Sequence, residues 1–171
     1  IAKSRRVKAL LSGQGADGGF GKHPYAKWTG AHWRLVALAE LGMPLGNSKV
    51  RAAANQVLTW LCERPENRTG KEIKGLARMC ASQEGNAIRA CVRLGFGDDP
   101  RVKYLAECLV RWQWPDGGWN CDKRPAAHHS SFMETLAPLW GLSELLLATD
   151  DDSFRPAVEK AAEFFLRHQL F

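Results

Sequence analysis

Apolar residues recur every three or four positions through most of the chain, the spacing that places side chains on one face of an α-helix. The clearest such stripe consists of Val50, Ala54, Val57, Leu58 and Leu61. Each predicted helix begins at a residue suited to an N-terminal cap: Thr29 or Gly30, Asn47 or Ser48, Ser82, Asp98 or Asp99, Ser130 or Ser131, and Asp151 or Asp152. Strict alternation of apolar and polar residues does not occur, so we predict an all-α fold without strands.

The predicted helices are of two alternating types. One type is apolar on most sides, as expected for helices in the interior of a domain, and comprises the helices near 30–42, 84–95 and 131–148. The other type has one charged side, which is typical of surface helices, and comprises those near 48–62, 100–112 and 154–168. An inner ring and an outer ring of helical hairpins accommodate both types, and we predict this arrangement.

A seven-residue motif occurs twice. Residues 14–20 (QGADGGF) and 113–119 (QWPDGGW) share the pattern Gln-x-x-Asp-Gly-Gly-aromatic. Weaker similarities at half this separation indicate a repeat of about 50 residues, near the length of a helical hairpin unit, with the middle turn reduced to residues 67–70. Asp-Gly-Gly favours a tight turn because glycine tolerates positive φ. We therefore assign structural roles in these turns to Gln14, Asp17, Gly18, Gln113, Asp116 and Gly117.

The repeated motif resembles the QW repeat of squalene and hopene cyclases, which occurs in a looser form in the β subunits of protein prenyltransferases. The continuation at residues 119–122 (WNCD) is similar to bacterial proteins with a prenyltransferase and squalene oxidase repeat. The resemblance implies an α/α toroid, which needs about twice the length of this chain. We therefore expect residues 1–171 to form a single, partial toroid domain from the N-terminal portion of a longer protein. Its uncovered inner helices predict a homo-oligomer or pairing with the missing half.

Charge and composition narrow the choice of partners. The net charge is +6, but the dense cluster at Lys3, Arg5, Arg6 and Lys8 lacks interleaved aromatic residues, so we do not expect nucleic-acid binding. An anionic substrate or lipid head group explains the basicity equally well. No apolar run is long enough for a transmembrane segment. The five cysteines include no Cys-x-x-Cys pair, and we expect a reduced, cytoplasmic protein.

The catalytic motifs of the related enzymes are not matched. The cyclases protonate their substrate with Asp-x-Asp-Asp, and the nearest string here, residues 149–152 (TDDD), is expected to cap the following helix. The prenyltransferases bind zinc through Asp-x-Cys, for which this chain has residues 120–122 (NCD). No catalytic residue of the family is therefore carried over to this chain.

Residues with candidate catalytic or ligand-binding roles follow each glycine-rich turn, near the starts of the predicted inner helices. In a toroid these helix ends converge on one cavity, where their positive dipole ends favour an anionic group. We expect acid–base catalysis by His32, His129, Glu84 and Glu134. We expect ligand contacts from Lys27, Trp28, Trp33, Arg34, Asn86 and Phe132, with Trp140 as a further aromatic residue of the cavity. The protein either has no cofactor or binds zinc. The candidate zinc ligands are Cys121 and His128.

Three functions remain open from the sequence. The first is an enzyme of the terpenoid cyclase and prenyltransferase type, a transferase or isomerase, that acts on a hydrophobic ligand in a central cavity, for which an isoprenoid is one candidate. The second is a non-catalytic helical-repeat scaffold that binds a protein or lipid, which the missing catalytic motifs favour. The third is glycan cleavage by an acid pair, for which Glu84 and Glu134 are the candidates.

Overall fold

A computed structural model describes residues 1–65 and 71–169 of the chain. Within these residues the fold is all-α, as predicted, apart from one small hairpin. The helices are α1 (Arg5–Leu11), α2 (Ala31–Glu40), α3 (Ser48–Glu63), α4 (Ala81–Arg93), α5 (Pro100–Trp112), α6 (Phe132–Ala148) and α7 (Arg155–Arg167). The predicted middle turn at residues 67–70 lies outside the described residues. No helix in the described ranges combines the length and apolarity needed to cross a bilayer.

Several helix starts coincide with the predicted caps. The side chain of Asn47 accepts hydrogen bonds from the backbone N–H groups of Lys49 and Val50, at 3.0 and 3.1 Å. Asp99 caps α5 in the same way by accepting from Arg101, at 2.9 Å. The caps of α2 and α6 also fall at predicted residues. The side-chain oxygens of Asn47 and Asp99 satisfy N–H groups that have no partner within their own helix.

Helix α4 begins two residues earlier than predicted. Its N-cap is Cys80 rather than Ser82, and the Cys80 side chain makes no capping hydrogen bond. The backbone N–H of Ser82 donates instead to the carboxylate of Glu134, at 2.9 Å. The cap of α4 therefore comes from α6, and a cap supplied by a distant residue leaves no local signal in the sequence.

The prediction of a chain without strands is wrong. Strands β1 (Glu72–Ile73) and β2 (Leu76–Ala77) form an antiparallel hairpin around a turn in which Lys74 and Gly75 both have positive φ. Strands of two residues are too short to show alternation between apolar and polar positions. A 3-10 turn at Asp152–Phe154, capped by Asp151, precedes α7 and was predicted as part of that helix.

The longer helices pack as three successive hairpins. The helices of each consecutive pair, α2 with α3, α4 with α5, and α6 with α7, contact one another. Helix α4 also packs against both α2 and α6, so the three helices predicted as apolar lie side by side. The hydrophobic core among these helices contains Leu35, Leu58, Ile88, Leu105 and Leu142, all of which are almost fully buried.

The two glycine-rich turns have the same geometry. The side-chain amide of Gln14 donates to the backbone carbonyls of Gly18, at 3.0 Å, and of Lys49 in α3, at 2.8 Å. Gln113 makes the equivalent bonds within its own turn and to the carbonyl of Ala157 in α7, both at 2.8 Å. The glycine after the aspartate has a φ of +80° in the first turn and +102° in the second. Each turn is thus tied to the second helix of its own hairpin.

Glycines allow α4 and α6 to touch backbone to backbone. A Cβ atom at Gly141 would lie 2.4 Å from the carbonyl oxygen of Gly85, and one at Gly85 would lie 2.3 Å from the backbone nitrogen of Pro138. Neither obstacle is a flexible side chain, so a methyl group at either position must push the two helices apart. This close crossing fixes the distance between the starts of α4 and α6.

Replacement of Gly141 by alanine is therefore expected to lower the free energy of unfolding by about 2 kcal/mol. At an unobstructed helical position, the same change would stabilise the helix by about 1 kcal/mol. Urea denaturation followed by circular dichroism measures the difference. Gly97→Ala, in the turn between α4 and α5, is the control for an unobstructed glycine, because a Cβ at Gly97 meets no atom closer than 3.7 Å. Equal stabilities of the two variants would contradict the close crossing.

Candidate functional site

A cavity of about 470 Å³ lies where the starts of α2, α4 and α6 come together. Its walls come from the loop before α2, from the first turns of α2 and α4, and from the first half of α6. The lining is mainly aromatic and aliphatic, with a few polar groups, and consists of Tyr25, Lys27, Trp28, Trp33, Ser82, Asn86, Met133, Glu134, Leu136, Ala137 and Trp140. This combination is typical of sites for small organic ligands.

An aromatic cluster forms one wall of the cavity. The rings of Trp28 and Trp33 are 4.8 Å apart, and the ring of Tyr25 lies 5.5 Å from that of Trp33. Trp28 is 71% exposed and has a φ of +63°, which a bulky side chain rarely adopts. Such backbone strain persists only where surrounding contacts impose it, and it concentrates at ligand sites. The strained residue presents its indole at the mouth of the cavity.

Gly30 explains how the loop reaches this position. A Cβ atom at Gly30 would lie 2.3 Å from the carbonyl oxygen of Pro24 and 2.8 Å from the backbone nitrogen of Ala26. The backbone N–H of His32 donates to the same Pro24 carbonyl, at 3.0 Å. The loop therefore rests directly on the first turn of α2, and only glycine at the cap leaves room for it.

A group of sulfur and oxygen atoms lies at the polar edge of the cavity. The side chains of Cys80, Cys121 and Glu134 place one ligand-type atom each within 4.8 Å of the others. The Cys121 thiol donates to Oε1 of Glu134, at 3.6 Å, while Oε2 accepts from the backbone of Ser82. Burial and the nearby Glu134 carboxylate raise the pKa of Cys121 to about 12. Burial likewise raises the pKa of Cys80. With these raised pKa values, both thiols are protonated at neutral pH.

An ion pair lies on the side of α4 away from the solvent. Glu84 is completely buried, and Arg64 at the end of α3 donates to its carboxylate. A second guanidinium nitrogen of Arg64 donates to the side chain of Gln83. The same guanidinium lies 5.0 Å from the ring centre of Trp60. Glu84 is therefore held as a buried, paired carboxylate.

The predicted catalytic residues do not come together in one site. Of the four, only Glu134 lines the cavity, and Glu84 is bound to Arg64. His129 is exposed and lies in another surface hollow, beside Asn120 and Asp122.

His32 lies beneath the aromatic cluster, with its ring 5.3 Å from Tyr25 and 5.2 Å from Trp33. It is completely buried, and neither ring nitrogen has a hydrogen-bond partner among the described residues. Burial, with a smaller contribution from the Arg64 charge, lowers the pKa of His32 to about 4. The imidazole is therefore neutral at pH 7 and is a weak base.

Most of the predicted ligand contacts line the cavity, and two do not. Lys27, Trp28, Trp33, Asn86 and Trp140 are in its wall. Arg34 instead donates to the backbone carbonyls of Leu10, at 2.7 Å, and of Thr29, at 2.9 Å, and so fastens α1 to α2. Phe132 packs against Phe164 of α7, with ring centres 5.2 Å apart.

The sequence reasoning missed Cys80 and the capping role of Glu134 towards α4. Cys80 is separated from Cys121 by an entire hairpin, and their spacing matches no known metal motif. His128, the other predicted zinc ligand, is outside the cysteine–glutamate group. Its ring is 4.0 Å from that of His129, and its Nδ1 lies 2.7 Å from the carbonyl oxygen of Ala126.

Comparison with known proteins does not add to this geometry. No protein-family model, curated protein or solved structure matches the chain. The resemblance to cyclases and prenyltransferases rests on the sequence of residues 14–20 and 113–122.

Proposed function

We propose that this chain belongs to an α/α toroid of the terpenoid cyclase and prenyltransferase type and binds a hydrophobic, isoprenoid ligand in the cavity. The observation that carries the proposal is the cavity wall, in which Trp28, Trp33 and Trp140 lie beside aliphatic side chains. The three hairpins with α2, α4 and α6 side by side support the toroid. The volume of about 470 Å³ is in the range of ligand pockets.

The polar groups of the cavity favour a ligand with an oxygen-rich end. Lys27 is an exposed cation at the rim, suited to a phosphate or carboxylate. The indole N–H of Trp33 is buried without an acceptor among the described residues. A ligand oxygen that accepts from this N–H would satisfy a group that is otherwise costly to bury.

Farnesol and farnesyl diphosphate are the probes that test this proposal. Tryptophan fluorescence and calorimetry are expected to detect binding of both, with the diphosphate bound more tightly. Trp140→Ala is expected to weaken binding of both probes by about 10-fold, because it removes an aromatic wall. Lys27→Gln is expected to weaken the binding of farnesyl diphosphate and to leave the binding of farnesol unchanged.

Leu147→Ala is the matched control for Trp140→Ala. Leu147 is 86% exposed and lies on α6 outside the cavity. An equal loss of binding in both variants would place the probes on the surface of α6 rather than in the cavity. Absence of binding by the wild-type chain would refute the proposal.

A second function, a non-catalytic scaffold, is favoured by the exposed face of α6. Met133, Leu136, Trp140 and Leu147 recur at helical spacing and are between 36% and 86% exposed. An apolar stripe of this kind is typical of a protein-binding surface. If the farnesyl probes fail to bind, the effect of Leu147→Glu on self-association, measured by analytical ultracentrifugation, tests the scaffold instead.

A further inference from the structure

We infer that Cys80, Cys121 and Glu134 form a zinc site whose fourth coordination position is open beside the cavity. The three side chains supply two sulfur atoms and one carboxylate oxygen within 4.8 Å of one another. Glu134 is also part of the cavity lining, so the ion would lie at the polar edge of that cavity. The inference does not depend on the identity of the organic ligand.

The distance between the Cys121 and Glu134 ligand atoms suits a tetrahedral zinc ion. Zinc binds sulfur at about 2.3 Å and carboxylate oxygen at about 2.0–2.2 Å, so a sulfur and an oxygen on one ion are separated by about 3.5 Å. The Cys121 sulfur lies 3.6 Å from Oε1 of Glu134. Zinc binding replaces the protons of both thiols, including the one between these two atoms, and releases both protons to solvent.

The ligands are held by three separate elements with little freedom. The two residues before Cys121 are fixed, because the N–H of Trp119 donates to the hydroxyl of Thr135, at 3.1 Å, and the side-chain amide of Asn120 donates to the carbonyl of His129, at 2.8 Å. On the other side of Cys121, the N–H of Asp122 donates to the side-chain oxygen of Asn120, at 2.9 Å. Glu134 stands in the first turn of α6.

The hydrogen bond from Ser82 orients the Glu134 carboxylate. It occupies Oε2, at 2.9 Å, and leaves Oε1 on the side of the cysteines. Metal-binding carboxylates are usually oriented by such an outer partner. The contact that replaces the local cap of α4 therefore also prepares a ligand oxygen.

The ligand types favour zinc. Two thiolates select zinc over magnesium or calcium, which prefer oxygen ligands. Three protein ligands leave one corner of the tetrahedron for water or for a ligand donor, as in catalytic rather than structural zinc sites. We assign Cys80, Cys121 and Glu134 as the protein ligands and Ser82 as the positioning residue.

Metal content and cobalt spectroscopy test the site on the reduced chain. After removal of metal by a chelator, titration with Zn²⁺ against a chromophoric competitor is expected to show one strongly bound ion per chain. Co²⁺ is expected to give a thiolate-to-cobalt charge-transfer band and the visible bands of a tetrahedral ion. Loss of a residue that only orients a ligand lowers metal affinity by roughly 10–100-fold. We expect a larger loss of zinc affinity in each of the three ligand variants, Cys80→Ser, Cys121→Ser and Glu134→Gln.

Cys62→Ser is the matched control, because Cys62 is a half-buried free cysteine on α3, outside this group. It is expected to bind zinc like the wild type. The inference is overturned if the reduced wild-type chain binds no zinc, or if its cobalt form lacks the charge-transfer band. The wild-type spectrum decides the question even if a cysteine variant fails to fold, and loss of farnesyl binding has no bearing on it.

Discussion

Replacement of Arg64 by methionine is expected to lower the free energy of unfolding by about 3 kcal/mol. The carboxylate of Glu84 is completely buried on α4, and the Arg64 guanidinium neutralises it. Methionine preserves much of the side-chain volume but removes the positive charge, so the buried carboxylate must remain in the interior without the Arg64 charge or take up a proton. The effect is at the lower end of the range for buried pairs, since the Arg64 side chain is 21% exposed.

Urea denaturation of Arg64→Met measures this effect, and Arg155→Met provides the matched control. Arg155 pairs with Asp152 at the surface, where both side chains are more than half exposed. Exposed pairs contribute about 0–1 kcal/mol, so this control is expected to remain close to wild type. Adding Glu84→Gln to Arg64→Met is expected to restore part of the lost stability. Equal effects of the two methionine variants would contradict the buried ion pair.

Acidification from pH 6.5 to pH 4 is expected to remove about 3 kcal/mol of stability through His32 alone. The pKa of His32 is about 4 in the folded chain, compared with 6.5 for an exposed histidine. Between these values the unfolded chain binds a proton and the folded chain does not, so the unfolded state gains stability as the pH falls. Above pH 6.5 the imidazole is neutral in both states and the effect vanishes.

The variant His32→Phe isolates this contribution. Phenylalanine keeps an aromatic ring beside Tyr25 and Trp33, and no hydrogen bond within the described residues is lost with the imidazole nitrogens. At pH 7 the variant is expected to be about as stable as the wild type. The stability difference between the two proteins should then change by about 3 kcal/mol between pH 6.5 and pH 4. Parallel pH profiles would show that His32 is not a buried neutral histidine.

Local features of the fold were predictable from the sequence, whereas contacts between hairpins were not. The caps at Asn47 and Asp99 are formed by residues within three positions of the groups that they bind, so the sequence contains the whole interaction. The cap of α4 comes from Glu134, in another hairpin. Helical periodicity shows that a residue is on one face but does not show which neighbour that face contacts.

The residues of the candidate site were likewise predictable only in part. The expectation that the starts of the apolar helices meet was enough to select Lys27, Trp33 and Asn86, which line the cavity. Arg34 and Phe132 were selected for the same reason, but each is turned towards a different helix. The direction in which a side chain points from its helix depends on packing, which periodicity alone does not determine.

The glutamine contacts of the two glycine-rich turns have a consequence for how such a chain can change in length. Gln14 and Gln113 donate to main-chain carbonyl oxygens at positions 49 and 157, where the side chains are lysine and alanine. Because every residue type offers this carbonyl, the attachment requires no matching side chain at the accepting position. A duplicated hairpin would therefore bring its own working attachment with it. Growth by tandem duplication, followed by free divergence of the second helix of each hairpin, is a natural route for this architecture.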